Sequence, residues 1–94
     1  MFIISLNYIV PNEAIDEYLD AHVQFLKAEY QAGHFVVSGR KVPRTGGVII
    51  ANVKDKDEVL KIIEKDPFKI NNLAEYEIIE VNLTMTSKEL EFMM

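Results

Sequence analysis

A histidine lies within a row of otherwise apolar residues around the segment YLDAHVQFL, and an imidazole can take or give a proton near neutral pH. The row has steps of four, three, four and four residues, which place its members on one face of an α-helix. It consists of Ile15, Leu19, His22, Leu26 and Tyr30. Because the other members favour burial, the spacing alone favours a packed core residue without a chemical role. The alternative is that His22 faces a partly apolar cleft as a general acid or base.

Asp66 is the candidate partner of His22, since a carboxylate can fix the tautomer of an imidazole. It directly precedes Pro67, and proline disfavours helical backbone at the residue before it. We therefore expect a helix to end at Asp66. In a fold that lays two helices side by side on a sheet, this helix end can approach His22. A second interpretation stays open, in which Asp66 serves only as a helix stop.

The segment SGRKVPRTGG contains residues that could hold an oxygen-rich or anionic ligand. The hydroxyl of Ser38 can form hydrogen bonds, and the guanidinium groups of Arg40 and Arg44 can bind a carboxylate or a phenolate. Gly39 would let the backbone approach a ligand closely. These four residues are the predicted substrate-binding set, and a plain hairpin loop with solvated cations is the alternative. Neither glycine-rich phosphate-binding motif occurs in the segment.

The chain of 94 residues has a formal net charge of −5, two histidines and no cysteine. The acidic balance argues against nucleic acid and anionic membranes as partners. His22 and His34 lack the spacings of zinc-binding helices, so we predict no metal and no cofactor. A cysteine-free composition suits the reducing cytoplasm, and the first residues lack the basic start of a signal peptide. We therefore expect a cytoplasmic protein.

Alternating apolar residues predict four strands, and helical periodicity predicts two helices. The predicted strands span residues 2–10, 34–39, 48–53 and 76–85, and the predicted helices span residues 12–32 and 55–65. Asn12 is the expected N-cap of the first helix, and Gly33 is its expected C-terminal stop. Asp55 with Glu58 forms an aspartate version of the capping box at the second helix.

The order β-α-β-β-α-β predicts one α+β domain over residues 1–94, a ferredoxin-like sandwich of four antiparallel strands with both helices on one face. The uncovered face of such a sheet is normally polar, whereas these strands are apolar on both faces. In the second strand, Phe35 and Val37 are expected on one face and Val36 on the other. A second copy is the simplest cover, so we predict a homodimer, with exposed apolar residues on a monomer as the alternative.

The sequence resembles the YCII-related family of the dimeric α+β barrel superfamily over a range from MFIISLNY to YEIIEVNL. The resemblance depends on AHVQFLKAEYQAGHFVVSGRKVPRTGG and EKDPF, because the family has a histidine in its first helix and an aspartate in a D-P-[FY] motif. These correspond to His22 and Asp66 here. The resemblance implies a dimeric barrel with a small-molecule cleft in each protomer and an acid/base His-Asp pair. It also implies relatives that eliminate chloride from a chlorinated hydroxyquinone, and superfamily branches with small monooxygenases and isomerases.

Two positions depart from the pattern of this family. Many relatives have Arg after the helix histidine, where this chain has Val23. The usual Gly-Pro after the second strand is Gly39-Arg40 here, so Arg40 could supply the cation that Val23 lacks.

Three functions are compatible with these observations. The first, which we favour, is a small cofactor-independent enzyme, a lyase, isomerase or hydrolase, that acts on a small anionic or aromatic substrate through His22 and Asp66. The second is a ligand-binding or sensing dimer that uses the same cleft without turnover. The third is a structural dimer. An enzyme requires His22 and Asp66 within about 3 Å of each other beside an open pocket, which the other two functions do not.

Overall fold

The strands of the computed structural model, which describes residues 1–94, form one antiparallel sheet. They are β1 (Phe2–Tyr8), β2 (Phe35–Arg40), β3 (Gly46–Ala51) and β4 (Ala74–Glu80), in the spatial order β2-β3-β1-β4. The helices are α1 (Asn12–Glu17), α2 (Leu19–Gln31), α3 (Lys56–Ile63) and α4 (Pro67–Ile70), and a 3₁₀-helix spans Lys88–Met93. The predicted ferredoxin-like α+β fold is confirmed. None of these helices has the length and apolar character needed to cross a membrane.

The strand β1 lies at the centre of the hydrophobic core because its even-numbered residues face the helices. Phe2, Ile4 and Leu6 are almost completely buried, as the alternation of apolar residues predicts. They pack in one cluster with helical residues that include Ile15, Phe25, Val59, Ile62 and Phe68. The helices therefore cover one face of the sheet.

The first predicted helix is interrupted at Tyr18, so the expectation of one continuous helix over residues 12–32 is wrong. Tyr18 has φ −110° and ψ 5°, and it separates α1 from α2. A continuous helix of that length would extend about 31 Å. A seven-residue strand extends only about 23 Å. The interruption keeps both helical segments over the sheet, with Ile15 of α1 fully buried.

Two of the predicted helix-end signals, those of Gly33 and Asp55, are confirmed. Gly33 ends α2 with a φ of +80°, a left-handed conformation that favours glycine. Asp55 caps α3, because its carboxylate accepts a hydrogen bond from the N–H of Glu58 at 2.9 Å. The prediction for Asn12 is wrong, since Pro11 occupies the N-cap position of α1 and Asn12 is the first helical residue. Proline accepts this position because its fixed φ suits a helix start.

A β-bulge near the start of β2 changes which side chains face the helices. The register shifts between Phe35 and Val37, so that Val36 is the extra residue and Val37 lies opposite Ile50. The expectation that Phe35 and Val37 share one face is therefore wrong. Because directly paired residues share a face, Val37 and Ile50 lie on the uncovered side of the sheet. The next residue, Ser38, faces the helices.

The strand β3 begins at Gly46 and ends at Ala51, so the predicted strand over residues 48–53 is displaced. Gly46 lies opposite Asn7, and a Cβ atom on Gly46 would lie 1.8 Å from the carbonyl oxygen of Leu6. This close approach requires glycine. A glycine pair that resembles loop residues in the sequence therefore belongs to the strand.

The strand β4 covers Ala74–Glu80 and not the predicted residues 76–85. Its assigned pairing with β1 ends where Phe2 lies opposite Glu80, and two backbone hydrogen bonds between Met1 and Val81 continue the contact by one residue pair. The chain continues without regular structure towards the 3₁₀-helix. Side chains of this C-terminal segment then line a groove on the uncovered face of the sheet, together with Val37 and Ile50.

Candidate functional site

Asp66 is the N-cap of the short helix α4, and Pro67 is the first residue of that helix. The backbone of Asp66 is extended, with φ −72° and ψ 122°, as expected before proline. Its carboxylate Oδ1 accepts a hydrogen bond from the N–H of Phe68 at 3.0 Å and so caps α4. Asp66 is 0% exposed. The preceding helix, α3, ends at Ile63 and not at the expected Asp66, which follows a short turn as a buried carboxylate in a fixed orientation.

His22 reaches this carboxylate from α2. Its Nδ1 lies 2.8 Å from Oδ1 of Asp66, within the distance that an acid/base pair requires. The hydroxyl of Tyr76, from β4, donates a hydrogen bond to Oδ2 of Asp66 at 2.6 Å. Tyr76 is not among the site residues predicted from the sequence. Strand alternation was the signal that could have found it, since Tyr76 lies opposite the buried Leu6 and so faces the helices.

The hydrogen bonds of Asp66 assign the tautomer of His22. Both carboxylate oxygens already accept hydrogen bonds, one from a backbone N–H and one from Tyr76, so Nδ1 of His22 is the donor of the third. Burial, and then the charge of Asp66, raises the pKa of Tyr76, which keeps its hydroxyl protonated as a donor. The lone pair of the neutral imidazole is therefore on Nε2.

Aromatic packing fixes the plane of the His22 ring. The ring of Phe68 stacks on it with centroids 3.9 Å apart and an angle of 4° between the planes. The ring of Phe25 is a second aromatic neighbour of His22, with a distance of 6.1 Å between the two ring centroids. Because one ring face is covered, a ligand is expected to approach His22 at its edge, where Nε2 lies.

A cavity of about 280 Å³ lies beside His22, between α2 and the sheet. An apolar cavity of about 150 Å³ can hold benzene, so this volume suits one substituted ring. The polar or charged lining residues include His22, Ser38 and Arg40. The apolar walls include Leu6, Leu19, Val23, Leu26, Ile49 and Phe68. The site therefore combines a mostly apolar enclosure with a few polar atoms, as small-molecule sites commonly do.

The floor of the cavity contains a position without a side chain. Pairing across the sheet places four residues in one row on the helix-facing side: Arg40, Gly47, Leu6 and Tyr76. A Cβ atom on Gly47 would have one neighbour within 4 Å, the carbonyl oxygen of Gly39 at 3.1 Å. The gap that Gly47 leaves in this row forms part of the cavity.

The predicted binding residues divide into two groups. Ser38, Gly39 and Arg40 line the cavity, whereas Arg44 is not among the lining residues. The Nη2 atom of Arg44 contacts Oδ1 of Asp16 in α1 at 2.6 Å, and this hydrogen bond raises the pKa of the guanidinium. Arg40 is therefore the cationic side chain that the structure brings to the cavity.

A second group of charged side chains connects α2 with the end of α3. Glu29 is 3% exposed, and its carboxylate contacts Nδ1 of His34 and Nζ of Lys65, each at 2.6 Å. Burial acts to raise the pKa of Glu29, but hydrogen bonds and charges of Lys65 and His34 outweigh it and leave the pKa lowered.

No group of three or more His, Cys, Asp or Glu side chains is arranged to hold a metal ion.

This lowered pKa predicts an acid-dependent loss of stability. Ionised Glu29 stabilises the fold above its ordinary pKa of 4.5, and this contribution is lost as the pH falls through the lowered value. The free energy of unfolding should therefore fall less steeply below pH 4.5 in Glu29→Gln than in wild type. Urea unfolding at successive pH values measures this. Glu64→Gln, at an exposed position, should keep the wild-type slope, and equal slopes in all three proteins would refute the prediction.

Comparisons with known proteins give a family and a fold. A family model described as the YCII-related domain matches residues 1–82. A solved structure of 5-chloro-2-hydroxyhydroquinone dehydrochlorinase (TftG) from Burkholderia phenoliruptrix AC1100, in complex with 2,5-dihydroxybenzoquinone, is similar with a TM-score of 0.71 and 19% identity. The match covers 87% of this chain and 94% of that one. No curated protein matches the sequence significantly. At this identity the structural likeness supports the fold.

Proposed function

The chain belongs to the family of YCII-related domains, whose model matches residues 1–82, and from this premise we propose that it is a small acid/base enzyme. The observation that carries the proposal is the 2.8 Å contact between His22 and Asp66 beside a cavity of about 280 Å³. A buried carboxylate holds Nδ1, and Nε2 is left for a ligand. The proposed mechanism uses these two side chains alone.

In this mechanism, Nε2 of His22 removes a proton from the substrate. The imidazolium that forms is stabilised by the negative charge of Asp66 at its other nitrogen. In an elimination, the electron pair of the broken bond expels an anionic leaving group. In an isomerisation, Nε2 returns the proton to a different atom of the substrate. Both reactions need one base at a fixed position, and the stacked ring of Phe68 keeps His22 there.

The proposed substrate is a small aromatic or quinonoid ring with oxygen substituents, anionic at neutral pH. The apolar walls and the volume of the cavity suit one ring. Arg40, at the rim, provides a cation for a phenolate or carboxylate oxygen. The structurally similar dehydrochlorinase, whose complex contains 2,5-dihydroxybenzoquinone, makes chlorinated hydroxyquinols the first compounds to test.

The direct test measures chloride release from 5-chloro-2-hydroxyhydroquinone, which loses HCl to form a hydroxybenzoquinone. We expect the protein to accelerate release above the rate in buffer and 2,5-dihydroxybenzoquinone to inhibit it. Amide and imidazole NMR signals of His22 should shift when the inhibitor binds. Binding without acceleration would instead favour the second candidate, a ligand-binding module. Val23 favours that candidate, since an apolar side chain lines the cavity at a position where many relatives have arginine.

A homodimer is part of the proposal because the uncovered sheet face is apolar. A row of paired residues crosses this face: Val37, Ile50, Ile3 and Ile79. Val37 is 55% exposed and Ile79 is 43% exposed. A second copy packed against this row would remove it from water, at about 25 cal/mol per Å² of buried apolar surface.

A charge on this face should prevent dimer formation. In Val37→Glu, association would bury a carboxylate without a partner, which should raise the dimer dissociation constant by about 100-fold or more. Analytical ultracentrifugation across a concentration series measures the constant. Val42→Glu is the matched control, since Val42 is 96% exposed in the loop between β2 and β3 and should tolerate the charge. A monomeric wild type, or a Val37→Glu dimer of unchanged affinity, would contradict the prediction.

A further inference from the structure

We infer that Tyr30 is a positioning residue, which holds the hydroxyl of Ser38 as a hydrogen-bond donor to an oxygen atom of the ligand. The inference rests on the proposed function for the occupant of the cavity, and it adds a second polar contact to the one at His22. Tyr30 is two helical turns beyond His22 in α2, about 12 Å along the helix axis. The two contacts together select rings that carry oxygen at two separated positions.

The bulge in β2 is the first observation behind this inference. With regular alternation after Phe35, Val37 would face the helices and Ser38 would face away from them. The extra residue, Val36, reverses this order, and Ser38 becomes part of the cavity lining. A local irregularity of an edge strand thus places a hydroxyl group in a mostly apolar enclosure. Bulges near sites commonly redirect a side chain in this way.

The contact between Tyr30 and Ser38 is the second observation. The phenolic oxygen of Tyr30 lies 2.6 Å from Oγ of Ser38. The ring of Tyr30 packs edge-on against Phe35, with centroids 6.1 Å apart and an angle of 86° between the planes. The hydroxyl of Tyr30 is therefore held at a defined position, although its side chain is partly exposed. It can fix the rotamer of Ser38.

The chemistry of the two hydroxyls sets the direction of this hydrogen bond. A phenol is more acidic than an aliphatic alcohol, and its oxygen is the weaker acceptor because a lone pair is delocalised into the ring. Tyr30 therefore donates and Ser38 accepts. The hydrogen of Ser38 is then free to donate to a ligand oxygen. Without Tyr30, the hydroxyl of Ser38 would rotate freely, and binding would have to fix it.

The test measures dissociation constants by titration calorimetry for two probes, 2,5-dihydroxybenzoquinone and phenol. Tyr30→Phe and Ser38→Ala should each weaken binding of 2,5-dihydroxybenzoquinone by about 3- to 10-fold, the value of one hydrogen bond. The double variant should bind it no more weakly than Ser38→Ala. Phenol has one oxygen, which His22 can bind, so its affinity should change by less than about twofold. Tyr18→Phe, which removes a hydroxyl outside the cavity lining, should bind both probes like wild type.

Each other outcome counts against the inference in a distinct way. Additive losses in the double variant would mean that Tyr30 acts independently of Ser38. Equal losses for both probes would mean a general disturbance of the cavity. Either result, or an unchanged affinity in Tyr30→Phe, overturns the inference and leaves the proposed function intact. Failure of the wild type to bind either probe would overturn both.

Discussion

Replacing His22 by Asn is expected to slow turnover by about 10²–10⁴-fold, because the variant lacks the proton acceptor at the cavity wall. Asp66→Asn is expected to slow turnover by less, about 10- to 100-fold, because it removes the charge of the pair and keeps the tautomer. The difference between the two variants separates the contribution of the base from that of its counter-charge.

The N–H of Phe68 explains why the tautomer should survive in Asp66→Asn. This backbone group donates to Oδ1, so an asparagine amide would place its oxygen at that position and its NH₂ group towards Tyr76. The amide oxygen would still accept from Nδ1 of His22. Nε2 would keep its lone pair. What is lost is the negative charge that stabilises the imidazolium during proton transfer.

Two measurements on the same variants check this prediction. Chloride release from 5-chloro-2-hydroxyhydroquinone gives the rates, and ¹⁵N chemical shifts of the imidazole identify which nitrogen carries the proton. Asp57→Asn, the same substitution at an exposed site on α3, should keep the wild-type rate. Equal rates for Asp66→Asn and wild type would refute the coupled pair. If the neutral imidazole of the ligand-free variant carried its proton on Nε2 instead of Nδ1, the role assigned to the Phe68 N–H would be refuted.

Gly46→Ala is expected to destabilise the fold by about 3 kcal/mol or more, because the new Cβ atom would clash with backbone atoms of Leu6, which cannot rotate away as a flexible side chain could. The new Cβ atom would lie 1.8 Å from the carbonyl oxygen and 2.8 Å from the carbonyl carbon of Leu6. Relief requires β1 and β3 to separate at the end of the sheet that carries Leu6. Because Leu6 also lines the cavity, ligand affinity should fall together with stability.

Urea unfolding of Gly46→Ala and Gly39→Ala measures the stability effect with a matched pair. A Cβ atom on Gly39 would meet no atom within 4 Å, so this control should change the free energy of unfolding by no more than about 0.5 kcal/mol. Similar losses in both variants would indicate a general cost of alanine in these strands. A stable Gly46→Ala protein would show that β1 can move without cost.

The site residues that obey local rules were predictable from the sequence. Asp66 before Pro67 fixes an extended backbone, and the period of the apolar row puts His22 on the inner face of its helix. Gly33 and Asp55 mark helix ends through conformational and capping preferences that depend on a few neighbouring residues. Once the order of elements identifies the fold, these residues lie at approximately known places. The approach of His22 to Asp66 could therefore be expected.

The features that depend on tertiary packing were not predictable in the same way. The interruption at Tyr18 occurs without glycine or proline, so the local sequence gives no signal for it. The bulge at Val36 adds a β-branched residue to a run of strand-forming residues, so it leaves no signal in the sequence. Strand alternation can place Tyr76 on the helix-facing side of β4, but its hydrogen bond to Asp66 depends on how α4 packs against the sheet.

The absence of a side chain at Gly47 means that the width of the cavity depends on a residue other than the proposed pair of His22 and Asp66. A methyl group there would narrow the cavity without replacing His22 or Asp66, and its 3.1 Å contact with the carbonyl oxygen of Gly39 would require a small shift of β2. Homologues with alanine or valine at the position that corresponds to Gly47 should then bind narrower ligands. Variants with each residue type at position 47 would test this dependence on ligand width while the proposed pair of His22 and Asp66 stays unchanged.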